Sequence, residues 1–173
     1  MIIKELREKF SKYNIEIIDE NNAVDALEVL RNNEYFISKT QNHEPLVQDV
    51  IDDILGRPQG LSLEQKTYCI IYKDKEAFAL LDYLEKFPND RSGYIGLFIL
   101  NSQFHGKGYA KELFDGLSDI SKNMNFTEIQ LGCMLDNEAG CKFWTKNGFE
   151  VFDKVIHNID NEDFEIYRMI KRL

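Results

Sequence analysis

Tyr94-Ile95-Gly96-Leu97-Phe98-Ile99-Leu100-Asn101-Ser102-Gln103-Phe104-His105-Gly106-Lys107-Gly108-Tyr109-Ala110-Lys111 joins a run of β-forming apolar residues to a glycine-containing turn and then to the start of an amphipathic helix. A buried strand that feeds a helix in this way belongs to an α/β chain. Glycine at 106 and 108 lets the backbone take positive φ and approach a ligand with no Cβ in the way. Free N–H groups at the helix start, with the helix dipole behind them, make such a turn an anion site suited to a pyrophosphate. Lys107 and Lys111 add positive charge there. The turn is not a Walker A loop, because no Ser or Thr follows the lysine. It is not a dinucleotide fingerprint either, because the glycine that motif needs at position 111 is Lys111. Taken alone, Gly-x-Gly also fits a plain strand-to-helix turn.

Upstream, Thr67-Tyr68-Cys69-Ile70-Ile71-Tyr72 is rich in β formers and stops at Lys73-Asp74-Lys75-Glu76, which reads as a hairpin turn. Ala77 to Leu84 is a second, nearly continuous apolar run with Asp82 inside it. Unbroken runs of this kind indicate strands covered on both faces. Nearer the N-terminus, Ile2, Ile3, Leu6 and Phe10 keep helical spacing, and Ile15 to Ile18 reads as a strand. Asn21-Asn22 can cap a helix with Ala23, Ala26, Leu27 and Leu30 on its apolar face. A polar loop through Gln41-Asn42-His43-Glu44-Pro45 leads to a short helix marked by Val47, Val50, Ile51 and Ile54, which ends before Gly56. Downstream, Leu113, Phe114, Leu117, Ile120 and Met124 share one helical face, and Glu128 to Met134 is a strand. Asn137 to Asn147 is a helix closed by Gly148, and two final strands fit Val151 to Ile159 and Phe164 to Ile170. The expectation is a single α/β (α+β) domain over residues 1–173, with a mixed, mainly antiparallel central sheet flanked by helices.

Composition narrows the partners. Apolar residues make up 43% of the 173 and charged residues 29%, ordinary values for a globular chain. With 21 basic and 30 acidic residues the net charge is −9, which disfavours nucleic acid as a partner and suits a small or cationic one. No apolar run approaches the roughly 18 residues needed to cross a bilayer. Met1 to Glu8 lacks an apolar signal core, so a soluble, cytoplasmic protein without a membrane partner is expected. The three cysteines, Cys69, Cys133 and Cys141, are odd in number, widely spaced and without a CxxC pair, which argues against a disulfide framework or a cysteine zinc site. His43 and His157 read as surface residues, and no spacing of His, Asp and Glu suggests a metal.

After one helix and one strand beyond the glycine turn comes Asp136-Asn137-Glu138-Ala139-Gly140-Cys141-Lys142-Phe143-Trp144-Thr145-Lys146-Asn147-Gly148-Phe149. With both stretches in this order the chain resembles the GNAT superfamily of acyl-CoA-dependent N-acyltransferases. The family phosphate loop, Gln/Arg-x-x-Gly-x-Gly/Ala, falls on His105 to Ala110, and the following helix with its closing Gly-Phe falls on Asn137 to Phe149. The resemblance covers about residues 67–170. It implies one strand, two helices, three strands, a helix, a strand, a helix and two closing strands, the order read above from Ile15 onward. It also implies that acetyl-CoA, as co-substrate, lies in a cleft where the strand ending at Leu100 splays from the strand at Glu128 to Met134. Backbone groups of Phe98, Ile99 and Leu100 would hold the pantetheine and the thioester carbonyl. N–H groups from His105, Gly106, Lys107, Gly108, Tyr109, Ala110 and Lys111 would bind the pyrophosphate. Asn137, with the face carrying Cys141 and Trp144, would line the other side of the coenzyme arm.

The implied reaction is direct attack of an amine on the acetyl thioester. An alkyl amine with pKa about 10.4 is mostly protonated near neutrality, so a base must take its proton. Family members often carry a carboxylate on the strand before the phosphate loop, and Tyr94 to Leu100 has none. Asp82 is the substitute read here, because a carboxylate inside Leu80-Leu81-Asp82-Tyr83-Leu84 is costly to bury and burial raises its pKa toward base work. The plain alternative is a strand-end Asp bonded to a loop. Asp49, Asp52, Asp53 and Glu85 read as solvated. Two positions depart from the family: His105 stands where Gln or Arg is usual, and Trp144 where a thiolate-protonating Tyr is common. An indole N–H donates a hydrogen bond but no proton. The reading is an N-acetyltransferase acting on a small-molecule or peptide primary amine. A non-catalytic acyl-CoA-binding sensor is the alternative, followed by an interaction domain with a vestigial cleft.

Overall fold

In a computed structural model that describes every residue except 34–43 and 160–161, the chain runs α1 (Ile3–Lys9), β1 (Asn14–Ile17), α2 (Ala23–Arg31), α3 (Val47–Leu55), β2 (Lys66–Lys73), β3 (Glu76–Glu85), β4 (Ser92–Leu100), α4 (Tyr109–Asn123), β5 (Glu128–Met134), α5 (Glu138–Lys146), β6 (Glu150–Ile159) and β7 (Glu162–Arg172). From β1 onward this is the order read from the sequence. His43 and the loop around it lie outside the described residues.

The seven strands form one sheet in the order β1-β2-β3-β4-β5-β7-β6, antiparallel except for the β4–β5 pair. The expected hairpin joins β2 to β3, with Asp74 and Lys75 at φ 52° and 71° between the paired Lys73 and Glu76. Two consecutive positive φ values match the right-handed twist of the strands they connect. Apolar runs in β2, β3 and β4 follow from burial on both faces. One face packs Cys69, Ile71, Leu81, Tyr83 and Ile95 with α1, α4 and α5, while the other packs Tyr68, Ile70, Leu80 and Ile99 with α2 and α3. Asn22 stands at the N-cap of α2, as expected, but its side chain makes no capping bond. Its Oδ1 accepts from Asp19 N at 2.9 Å and its Nδ2 donates to Ile17 O at 3.0 Å, tying the end of β1 to the turn that follows.

Tyr83 is fully buried between β3 and α4, and its hydroxyl lies 2.8 Å from Ser121 Oγ. Ser121 spends its own proton on Leu117 O, so Tyr83 is the donor. Tyr83→Phe keeps the ring and loses this bond, and is expected to lower stability by about 1 kcal/mol, read from the urea midpoint.

The feature that positions the site is a split in the sheet. β4 pairs with β3 along its length but with β5 only from Ser92 to Ile95, against Glu128 to Leu131. Beyond Ile95 the two parallel strands part, and Gly132 to Met134 pair with β7 alone. No helix among the described residues is long and apolar enough to cross a membrane.

Candidate active site

The loop at the mouth of the split is built from its anchors. Asn101 at the end of β4 is buried, with its N–H donating to Phe78 O at 2.9 Å and its Nδ2 to Ala77 O at 3.3 Å. Phe104 packs edge-on against Phe78 (ring centroids 4.9 Å apart) and Tyr109, which itself meets Phe78 at 5.2 Å. Between these fixed points the backbone turns through Gly106 and Gly108 at φ 72° and 82°. No atom lies within 4 Å of where a Cβ would stand on either glycine, so the loop is open on that side. The first intrahelical bond of α4 runs from Glu112 N to Gly108 O, which leaves the amides of Tyr109, Ala110 and Lys111 ahead of it without a helical acceptor. These free amides stand at the positive end of a 15-residue helix, a geometry that favours an anion. His105 is exposed, with Nε2 3.0 Å from Leu100 O. Lys107 sits over the Phe104 ring, and Lys111 pairs with Asp115.

Farther into the split, the β3–β4 register slips between Asp82 and Tyr83, and Gly96 is the extra residue of the bulge. A Cβ on Gly96 would come within 2.8 Å of Asp82 Oδ2, so glycine is what allows the carboxylate to rest against β4 here. Asp82 Oδ2 is 2.9 Å from Lys66 Nζ, with side chains only 17% and 4% exposed. Lys66 also donates to Gly56 O at 2.6 Å, just past the negative end of α3, and lies 5.5 Å from the centroid of the Tyr68 ring. Burial pushes the Asp82 carboxyl above the usual carboxylate range, and the Lys66 ammonium partly offsets that. Asp53 of α3 is raised by burial as well, with Lys66 opposing and Asp82 adding to the shift. Asp82 Oδ1 and the Tyr68 hydroxyl are both buried without a hydrogen-bond partner, which leaves two polar atoms in this pocket of charge unspent.

The β5 side of the split is walled by α5. Phe98 of β4 stacks across on Phe143 at 6.2 Å and meets Trp144 at 5.7 Å. Trp144 is 8% exposed and enclosed by Phe98, Phe114, Phe143 and Phe149. Asn137 is the N-cap of α5, its Oδ1 accepting from Gly140 N at 2.8 Å. Leu100 is buried, Ile99 faces α2 and α3, and the main chain of Phe98 to Leu100 runs along the edge of β4 that β5 has left. Phe98 to Leu100 edge the split, Gly106 to Lys111 follow them in the chain, and the Asp82 carboxylate rests against Gly96, the first residue of β4 beyond the β5 pairing. Sequence reasoning missed Lys66, Tyr68 and Asn101. The one available signal for Lys66 was a cation at the head of an otherwise apolar strand.

The chain is similar to known proteins in sequence and in fold. Residues 24–149 fit the model of the acetyltransferase (GNAT) family. N-alpha-acetyltransferase 30 of Schizosaccharomyces pombe is 35% identical over 57 residues, which are 33% of this chain and 38% of that protein. An acetyltransferase from Thermus thermophilus superposes with a TM-score of 0.71 at 12% identity, covering 94% of this chain and 97% of its own. An N-acetyltransferase from Thermoplasma acidophilum, solved in complex with coenzyme A, superposes at 0.62 with 17% identity, covering 93% and 99%. At such identities the superpositions speak for the fold, while the family match extends over most of the chain and takes in the split strands, the glycine turn and the closing Gly-Phe: the protein belongs to the GNAT acetyltransferase family.

Proposed function

We propose that the protein transfers an acetyl group from acetyl-CoA to a primary amine by direct attack, with Asp82 as the base. The proposal rests on the Asp82 carboxylate resting against Gly96, at the point where β4 leaves β5. The amides of Gly106 to Lys111 would hold the pyrophosphate, for which their open cradle is suited. The edge of β4 from Gly96 to Leu100, unpaired on the β5 side, offers main-chain groups to the pantetheine arm and the thioester carbonyl. Asp82 faces the side covered by α2 and α3, opposite the Phe98–Trp144 wall, so an amine arriving from that side would give up its proton there. Its raised pKa makes it a better proton acceptor than an exposed carboxylate. Trp144 supplies no proton, and a thiol of pKa about 8.5 leaves as a thiolate without one.

The acceptor is read as cationic from the net charge of −9 and the two carboxylates around one buried lysine. A peptide α-amine, with pKa about 7.7–8.0, asks less of a base than a lysine or polyamine amine at about 10.4. Release of free coenzyme A from acetyl-CoA against a panel of polyamine, aminoglycoside, lysine and peptides with free N-termini is the test. Turnover with any of them supports the enzyme; saturable coenzyme binding with none would mark a sensor.

The rate should fall with decreasing pH as Asp82 takes up a proton, with a midpoint above the ordinary carboxylate range. Lys66 holds that midpoint down by hydrogen bond and charge. Lys66→Met should therefore move the acid limb of the kcat profile to higher pH.

A further inference from the structure

The sulfur atoms of Cys133, near the end of β5, and Cys141, in α5, lie 3.0 Å apart. Both thiols also face one carbonyl, Met134 O, at 3.7 Å from Cys133 and 3.5 Å from Cys141. A disulfide bond is about 2.05 Å long, so the two sulfurs need to close by only about 1 Å to be joined. Their exposures differ: Cys133 is buried at 4%, and Cys141 is partly open. The third cysteine, Cys69, is wholly buried in β2 and has no such neighbour.

We propose that Cys133 and Cys141 form a reversible redox pair, converted by a small-molecule disulfide such as oxidised glutathione into a bond that staples β5 to α5. Cys141, the accessible member, loses its proton, and its thiolate attacks one sulfur of the oxidant. The oxidant's disulfide breaks and one glutathione leaves as thiolate. Cys133, once deprotonated, attacks the Cys141 sulfur and expels the second glutathione. Two protein thiols are oxidised, one disulfide is reduced to two thiols, and the two cysteine protons end on the released glutathiones. The staple crosses the part of β5, Gly132 to Met134, that has already left β4, and it holds the helix whose Phe143 and Trp144 lean on Phe98. This assignment stands on geometry alone and does not depend on the acetyl transfer proposed above.

The test is thiol mapping on the whole folded protein. After treatment with oxidised glutathione, free thiols are alkylated natively, then again in denaturant with a second reagent, and the protein is cut with trypsin. Cleavage after Lys122 and Lys142 leaves both cysteines on the peptide Asn123–Lys142. The expected product is that peptide unalkylated and lighter by two hydrogen atoms, restored to two alkylatable thiols by dithiothreitol, with Cys69 labelled only after denaturation. In Cys133→Ser the glutathione should remain attached to Cys141. Recovery of the wild-type peptide with two alkyl groups, or with glutathione retained on Cys141, would overturn the pair. Native labelling of Cys69 in step with the loss of the two thiols would overturn it too, since oxidation would then follow unfolding.

Discussion

Gly108→Asp is expected to lower acetyl-CoA affinity by about 100-fold, near 2.7 kcal/mol, in a protein that still folds. Room for the side chain is not the obstacle, because nothing lies within 4 Å of its Cβ position. The left-handed φ of 82° costs a non-glycine residue about 1 kcal/mol, and Asp tolerates it better than most. The larger effect is electrostatic. A carboxylate about 4 Å from a pyrophosphate charge repels it by about 4 kcal/mol at an effective dielectric of 20, and solvent at this exposed loop reduces that to about 2–3 kcal/mol. Gly108→Ala carries the backbone cost without the charge and should lose less than about tenfold. Calorimetric titration of the two variants separates the effects. If Asp binds as tightly as Ala, the loop does not hold the pyrophosphate.

Asp82→Asn should lower kcat by roughly 10²–10⁴-fold, the usual worth of a positioned base. The same change strands Lys66, whose side chain is 4% exposed. Removing one member of a buried pair costs about 3–5 kcal/mol, and the amide oxygen, which can still accept from Lys66, keeps the loss toward the lower end. A drop in activity alone would therefore be ambiguous. The double change Asp82→Asn with Lys66→Met resolves it, because it removes the buried charge along with the carboxylate. Gly56, whose carbonyl Lys66 also serves, is exposed and can turn to water. The double variant should recover most of the stability and none of the activity. Near wild-type turnover in it would make Asp82 half of a structural ion pair and nothing more.

Much of the fold could be read along the chain because local chemistry specifies it. Glycines at 106, 108 and 148 mark positive φ, Asp74-Lys75 falls between two apolar runs, and the α4 stripe keeps its period without interruption. The split was implied by the family resemblance that the two motifs carry, and the loop by its two glycines. What escaped depends on register. Lys66 and Asp82 are 16 residues apart and meet only because Tyr68 pairs with Asp82, which puts Lys66 on the diagonal. The bulge at Gly96, which brings the carboxylate to β4, has no signature beyond a glycine in a strand. The nearness of Cys133 and Cys141 was not legible because nothing in a spacing of eight shows that a strand end and a helix will face each other. Asn137 and Trp144 show the converse: the resemblance implied a place for them along a coenzyme arm, and what the fold shows of them is a helix cap and the centre of an aromatic cluster.

The parting of β4 from β5 also bears on which edges of the sheet another strand could join. A row of unpaired N–H and C=O groups is an invitation to any neighbouring chain that can add a strand. This protein opens such a row in the interior of its sheet, between β5 on one side and the rings of Phe143 and Trp144 on the other. At the outer margin, β6 exposes Val151, Phe152 and Ile156, and there Asp153 and Lys154 form ion pairs with Arg168 and Glu165 of β7. Charge guards the rim against another strand, while the opening within is flanked by β5 and by aromatic rings.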